Sequence, residues 1–282
     1  MAKKPSGNKK ISGGKTPAKK PRPKPSGDYP FKPLICGYDR TNARAMVDFS
    51  NIAYKPEPTI LREMAKRSFP AKDVRYFDRE GTQAFTAVNG KVLIVAFRGT
   101  EIDPNDIYAD INAKWREGLY GKVHKGFYDA LDCVWGEVSA VLDEYADDNL
   151  PIWFTGHSLG GALAVLAAAK QIKRRGKVSG VYTFGAPRCG NTTFANTFNA
   201  RFPHTCRFVY EKDIVTRIPP RSLFGRSQYR HVGDLFHIKG GRVYKKGREE
   251  APFPFISALE SLWDRDFSMV EDHSLANYLN VL

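Results

Sequence analysis

Two kinds of apolar pattern alternate along the chain from about residue 41 onward. Short continuous or alternating apolar runs are typical of β-strands, whereas apolar residues spaced three and four apart are typical of amphipathic helices. Strands are predicted at 75–78, 83–88, 91–97, 152–155, 178–184, 207–210, 235–239 and 242–245, and helices at 41–54, 58–67, 125–147, 161–173, 192–199 and 274–281. The run KVLIVAF at 91–97 shows no polar alternation, as expected of a strand covered on both faces. The pattern therefore predicts an α/β fold whose mostly parallel central sheet has helices on both faces.

Residues 1–29 lack this pattern and are rich in Lys, Pro, Gly and Ser. They contain nine basic residues and one acidic residue, Asp28, so they carry +8 of the chain's net charge of +14. A segment with so few apolar side chains cannot offset the conformational entropy that ordering would remove. The sequence predicts a disordered basic tail at 1–29, followed by one globular domain at 30–282.

Several classes of protein are excluded by what the sequence lacks. The longest fully apolar run, at 162–169, is too short to span a bilayer, and no apolar stretch follows the basic N-terminus as it would in a secretory signal peptide. The four cysteines (Cys36, Cys133, Cys189 and Cys206) are widely separated, which fits neither a disulfide framework nor a zinc site. A cytoplasmic location is expected, with or without peripheral membrane contact, and no metal or organic cofactor is expected.

The strongest chemical signal is a G-x-S-x-G sequence at 156–160, between a predicted strand and an Ala-rich predicted helix. In the strand–turn–helix arrangement called a nucleophile elbow, this spacing exposes the serine hydroxyl at the end of the strand. Ser158 is therefore the candidate nucleophile. The N–H of Leu159 would lie beside it at a helix N-terminus, where a developing oxyanion is stabilised. The alternative interpretation is that Gly160 and Gly161 merely begin a helix.

Six blocks in order resemble the class 3 (fungal-type) lipases of the α/β-hydrolase superfamily. The blocks are VAFRGT (95–100), VHKGFYDA (123–130), FTGHSLGGALA (154–164), YTFGAPRCGN (182–191), EKDIVTRIPP (211–220) and DHSLANYL (272–279). The resemblance implies an α/β-hydrolase fold, a Ser–Asp–His triad and hydrolysis of acyl esters. The basic tail has no counterpart in the family pattern.

A serine hydroxyl needs a histidine to remove its proton, and six histidines compete for that role. His273 follows Ser158 in the order that α/β-hydrolases require and lies in the block that matches the family's histidine segment. His157 lies inside the elbow and is expected to point away, and His124 is expected to hold a loop. His231 and His237, with Asp234 between them, fit no zinc spacing and are interpreted as satisfied polar residues.

The acid that orients the histidine is expected in a loop after a strand, between Ser158 and His273. Asp213 follows the strand at 207–210 and matches the family's aspartate block, so it is the first candidate. Glu211, Asp234 and Asp272 are the alternatives, and Asp272 is expected instead to cap the last helix.

A second oxyanion donor is expected in the loop after the strand at 91–97, where the family pattern assigns the role to a Ser or Thr. Thr100 occupies that position and offers an N–H and a hydroxyl. The family usually has a lid directly afterwards, but the segment EIDPNDIY at 101–108 is poor material for an amphipathic helix. That departure favours an esterase for soluble or short acyl esters.

Together these residues predict a serine carboxylic-ester hydrolase that acts on triacylglycerol or shorter acyl esters through an acyl-enzyme. One alternative is a phospholipid acylhydrolase that residues 1–29 recruit to anionic membranes. Another, from a different class, is a polyanion- or nucleic-acid-associated protein whose hydrolase domain is secondary.

Overall fold

The structure of the protein is a computed structural model that describes residues 29–100, 114–221, 229–248 and 268–282. Residues 1–28 of the predicted tail and the predicted polar lid at 101–108 lie outside the described residues. The first described residue, Tyr29, packs its ring 5.6 Å from that of Phe49 and donates its hydroxyl to Asp48 at 2.8 Å. The boundary between tail and domain stays a prediction.

The strands of the described residues are numbered here in chain order. They are β1 (Val74–Arg79), β2 (Thr82–Val88), β3 (Leu93–Phe97), β4 (Trp115–Glu117), β5 (Lys122–His124), β6 (Ile152–His157), β7 (Gly180–Phe184), β8 (Gly190–Asn191), β9 (Thr205–Tyr210), β10 (Tyr229–Arg230), β11 (Asp234–Lys239) and β12 (Arg242–Gly247). Eight of them form the central sheet in the order β1-β2-β3-β6-β7-β9-β11-β12. The five strands from β3 to β11 run parallel, and antiparallel strands lie at both edges.

Helices cover both faces of this sheet, as the sequence predicts. They are α1 (Arg40–Ile52), α2 (Glu57–Lys66), α3 (Lys125–Glu144), α4 (Leu159–Arg175), α5 (Thr192–Arg201), α6 (Ser268–Glu271) and α7 (Leu275–Val281). One core lies between the sheet and helices α3, α4 and α5, and the other between the sheet and helices α1, α2 and α7. Each face of the sheet therefore has its own apolar layer, which explains why β3 and β6 are buried along their full length.

The predicted elements match the observed ones, with shifts at their ends. The predicted strand at 152–155 continues to His157, and the predicted helix at 161–173 begins two residues earlier, at Leu159. These two shifts reduce the turn between strand and helix to Ser158 alone. The strands predicted at 75–78 and 83–88 pair as an antiparallel hairpin whose turn is Glu80 and Gly81, with φ of 49° and 77° at these two residues.

A second, four-stranded sheet in the order β10-β8-β5-β4 was not predicted. Its strands are two or three residues long, too short to show an alternating pattern. None of the helices in the described ranges has the length and apolar character needed to cross a membrane.

We expect the contact between β6 and β7 to be intolerant of a single added methyl group. A Cβ on Gly180 would come within 2.0 Å of the Trp153 ring, so Gly180→Ala should lower the free energy of unfolding by about 1–3 kcal/mol or more. The matched control is Gly136→Ala on α3, where a Cβ would meet nothing within 4 Å. Because alanine is the better helix former, this control should raise stability by up to about 1 kcal/mol. Urea unfolding of both variants measures the difference, and a neutral Gly180→Ala would contradict the packing described.

Candidate active site

Ser158 occupies the sharp turn between β6 and α4. Its backbone has φ of 57° and ψ of −132°, a conformation that residues with a Cβ rarely adopt. The flanking glycines make the turn possible by removing side chains where backbone segments meet. A Cβ on Gly156 would lie 2.2 Å from the backbone of Gly160, and a Cβ on Gly160 would lie 2.3 Å from the Phe97 carbonyl oxygen. Close backbone approach therefore accounts for both glycines of the G-x-S-x-G sequence.

The Ser158 hydroxyl is buried at the N-terminus of α4. The residue is 1% exposed, and its Oγ makes no hydrogen bond to any described residue. The first N–H groups of a helix lack intrahelical partners, and the helix dipole favours negative charge beside them. The Leu159 N–H is one of these groups. The arrangement thus places a hydroxyl beside a donor suited to an oxyanion, which is what attack on a carbonyl carbon needs.

His273 and Asp213 form a buried pair at the carboxyl end of β9. The Nδ1 atom of His273 lies 3.0 Å from Oδ1 and 3.1 Å from Oδ2 of Asp213, and the aspartate is fully buried. Because an ionised carboxylate only accepts hydrogen bonds, Nδ1 carries the proton in this pair. The other ring nitrogen, Nε2, is then the one able to take a proton.

Two further donors complete the surroundings of the Asp213 carboxylate. The Val215 N–H donates to Oδ1 at 3.0 Å, and the Tyr278 hydroxyl donates to Oδ2 at 2.5 Å. The same hydroxyl accepts the Tyr210 N–H at 3.0 Å, and burial raises the pKa of Tyr278 well above its ordinary value. Tyr278 could not be selected from the sequence, because a tyrosine on an amphipathic closing helix fits the core equally well.

The loop after β3 packs directly against the Ser158 turn. A Cβ on Gly99 would lie 3.0 Å from the Cβ of Ser158, so only a glycine lets the loop come this close. The next residue, Thr100, and Leu159 both line one cavity of about 200 Å³. The two residues predicted to supply oxyanion donors therefore line the same cavity, which also reaches Gly81 and Gln83.

The alternative acids have other partners. Asp234 begins β11 at the opposite end of the parallel strands, where it is paired with Lys245 at 2.9 Å. Glu211 accepts the Gly240 N–H at 2.6 Å, which fixes the turn between β11 and β12. Neither carboxylate is bonded to His273.

Asp272 has a role different from the predicted helix cap. Its Oδ2 accepts the Lys212 N–H at 3.0 Å, and burial raises its pKa. The N-cap of α7 is Ser274, which makes no side-chain capping bond. Asp272 directly precedes His273 in the chain, and Lys212 directly precedes Asp213. The hydrogen bond between Asp272 and Lys212 therefore connects the loop that carries His273 to the loop that carries Asp213.

The competing histidines also have structural partners. His124 caps α3 by accepting the Phe127 N–H at Nδ1, and burial lowers its pKa to about 4. His231 and His237 each bind a backbone carbonyl through Nε2, at 2.7 and 2.9 Å. Within the described ranges, no three His, Cys, Asp or Glu residues are grouped so that they could hold a metal ion.

Comparison with known proteins finds similarity to one family model and to relatives that are lipases and phospholipases. The family model described as Lipase (class 3) matches residues 94–223. The secreted mono- and diacylglycerol lipase 1 of Fusarium solani is 37% identical over 125 residues, which are 44% of this chain and 36% of that protein. The chloroplastic phospholipase A(1) DAD1 of Arabidopsis thaliana is 35% identical over 113 residues, 39% of this chain and 25% of that protein. The chain thus spans well under half the length of these two relatives.

The fold is similar to that of solved lipase structures. Lipase II from Rhizopus niveus superimposes with a TM-score of 0.64 and 25% sequence identity, over 84% of this chain and 95% of that chain. The α/β-hydrolase fold predicted from the sequence is confirmed. The predicted cytoplasmic location is wrong by comparison with the relatives, one of which is secreted and another chloroplastic.

The choice of Asp213 over Asp234 can be tested by the same substitution at each position. Asp213→Asn removes the carboxylate that sets the His273 tautomer, so turnover of a soluble p-nitrophenyl ester should fall about 10⁴-fold, as in a serine protease triad. Asp234→Asn removes only a partly exposed ion pair at the far end of the sheet and should change turnover less than about twofold. Steady-state kinetics measure both values. A crippled Asp234→Asn enzyme beside a normal Asp213→Asn enzyme would reverse the assignment.

Proposed function

Because this chain belongs to the class 3 lipase family of the α/β-hydrolase superfamily, we propose that it hydrolyses carboxylic esters through an acyl-enzyme formed on Ser158. Asp213 and His273 complete the triad, and the N–H groups of Thr100 and Leu159 bind the oxyanion. The substrates are acyl esters of glycerol or of smaller alcohols.

The proposed reaction has two halves. The Ser158 Oγ attacks the ester carbonyl carbon while His273 Nε2 takes the hydroxyl proton, and the carbonyl oxygen becomes an oxyanion held by the two N–H groups. The intermediate collapses, the alcohol leaves with the proton from His273, and Ser158 keeps the acyl group. A water molecule then gives a proton to His273 and attacks the acyl carbon. As the bond between the acyl carbon and the Ser158 oxygen breaks, His273 returns that proton to the serine, which releases the acid and restores the enzyme.

The observation that supports this proposal most strongly is the buried Asp213–His273 pair, 3.0 Å apart, together with the strained turn at Ser158. Strained backbone and a fully buried carboxylate both cost stability, so they are expected where they serve a reaction. The order Ser158, Asp213, His273 along the chain is the order of the family's triad.

The nucleophile is tested by covalent labelling. Ser158→Ala should abolish labelling of the full chain by a fluorophosphonate probe and remove nearly all p-nitrophenyl ester hydrolysis, because no other group can form the acyl-enzyme. The control is Ser139→Ala, whose hydroxyl donates only to the Gly136 carbonyl on the exposed surface of α3. It should label and turn over like the parent. Labelling that survives in Ser158→Ala would refute the assignment of the nucleophile.

Phospholipids are the second candidate substrates. One relative of this chain is a phospholipase A(1), and residues 1–29 add a charge of +8 that an anionic membrane surface would attract. In this form of the proposal the tail recruits the enzyme to the lipid, and the same triad cleaves the acyl ester.

A panel of four substrates separates the two candidates. Initial rates are measured on p-nitrophenyl butyrate, tributyrin, a long-chain triglyceride and phosphatidylglycerol vesicles, each with the parent and with Ser158→Ala as the blank. We expect the short-chain esters to be cleaved fastest, because the polar lid segment predicted at 101–108 offers little apolar area to a lipid interface. Faster hydrolysis of phosphatidylglycerol, weakened by added salt, would instead support the phospholipid proposal.

A further inference from the structure

His157, the residue before Ser158, uses both of its ring nitrogens. Its Nε2 lies 2.8 Å from the backbone carbonyl oxygen of His273, and its Nδ1 lies 2.8 Å from the hydroxyl of Tyr54. Its ring also stacks on the His273 ring, with centroids 4.6 Å apart and planes at 26°. From the sequence, the His157 side chain is expected to point away from the nucleophile. The His157 side chain contacts the backbone of His273, the proposed base.

The partners of His157 determine which nitrogen carries the proton. A backbone carbonyl can only accept, so Nε2 carries the proton and donates it to His273. In a neutral ring Nδ1 then has a lone pair, and it accepts the Tyr54 O–H. Burial of His157 and the nearby His273 lower the pKa of His157 well below its ordinary value, so the ring stays neutral beside the base.

Tyr54 extends this contact chain to the loop at 98–100 that carries Thr100, named here the oxyanion loop after its proposed role. A Cβ on Gly99 would come within 2.2 Å of the Tyr54 hydroxyl oxygen, so the hydroxyl lies against the residue that precedes Thr100. The guanidinium of Arg98 lies over the Tyr54 ring, 5.6 Å from its centroid. The Tyr54 hydroxyl therefore touches the oxyanion loop while it donates to His157.

We propose that His157 is a positioning residue for the base, which holds the His273 backbone by an Nε2–H donor, and that Tyr54 fixes the His157 tautomer required for this. The inference rests on the proposed function. Asp213 holds the His273 ring at one end, and His157 holds the main chain from which that ring projects. With both points fixed, the His273 ring has little freedom to move, and His157 itself is covalently joined to Ser158, the proposed nucleophile. Small displacements of a catalytic group are costly, on the order of 100-fold in rate for about 1 Å.

Two variants of His157 separate the donor from the acceptor. The amide nitrogen of glutamine reaches about as far as His Nε2, so His157→Gln keeps a donor for the His273 carbonyl. The shorter asparagine places its amide near His Nδ1, so His157→Asn keeps a partner for Tyr54 and loses the donor to His273. On a soluble p-nitrophenyl ester, we expect kcat of His157→Gln within about fivefold of the parent. We expect kcat of His157→Asn to be lower than the parent's by about 10- to 100-fold. KM should change less than about twofold in both variants, because neither contact involves the substrate.

A second arm avoids altering the buried elbow. Tyr54→Phe removes only the hydroxyl that fixes the tautomer and should lower kcat about fivefold to tenfold without a matching change in KM. The control, Tyr29→Phe, removes a hydroxyl that donates to Asp48 at 2.8 Å, outside the site, and should leave kcat within about twofold. Thermal unfolding of every variant identifies those that do not fold. If both His157 variants are unfolded, the two tyrosine variants decide.

The outcomes distinguish this inference from the proposed function. A parent that neither hydrolyses the ester nor labels at Ser158 overturns the proposed function, and the inference with it. An active, labelled parent with equal kcat in His157→Gln and His157→Asn, or with the loss mainly in KM, overturns the inference alone. If Tyr54→Phe has the same kcat and KM as Tyr29→Phe, the inference alone is likewise overturned. A selective kcat loss in His157→Asn, largely rescued by His157→Gln, supports it.

Discussion

The carboxylate of Asp213 is a charge removed from water, and the arrangement of the site follows from the need to surround it with donors. An isolated ionised carboxylate in a protein interior costs several kcal/mol, so it persists only with close hydrogen-bonding partners. Those partners come from three separate segments: the turn after β9, the loop before α7, and α7 itself. The closing helix is therefore attached to the sheet through the same group that orients the proposed base. The same set of contacts therefore stabilises the fold and would serve the proposed reaction.

The sheet brings the other components to the same place. In a parallel sheet the carboxyl ends of successive strands meet along one edge, and open α/β sheets bind their ligands there. The ends of β3, β6 and β9 supply the oxyanion loop, Ser158 and Asp213, respectively. Asp234 lies at the amino end of its strand, so the direction of β11 alone removes it from the site. A carboxylate of the right type in the right part of the sequence is thus excluded by topology.

Close packing couples the position of the oxyanion loop to the position of His273. The oxyanion loop, Tyr54, His157 and His273 form one continuous series of contacts in which each member lies within hydrogen-bonding or packing distance of the next. Densely packed groups of this kind cannot shift independently. Displacement of the loop would therefore be felt at the base, which is the physical basis for the positioning role of His157.

The sequence predicts the α/β fold, the elbow and the three residues of the candidate triad. It could do so because strand and helix periodicity and the close-packed glycines around Ser158 are local properties, and because the six blocks keep their order along the chain. It did not determine the small second sheet, whose strands are too short for any periodic signal. The bond from Tyr278 to Asp213 and the partners of His157 and Asp272 become evident only in the folded chain. Those contacts join residues 60 to 116 positions apart, and which distant groups satisfy a buried donor or acceptor depends on how the strands and helices pack.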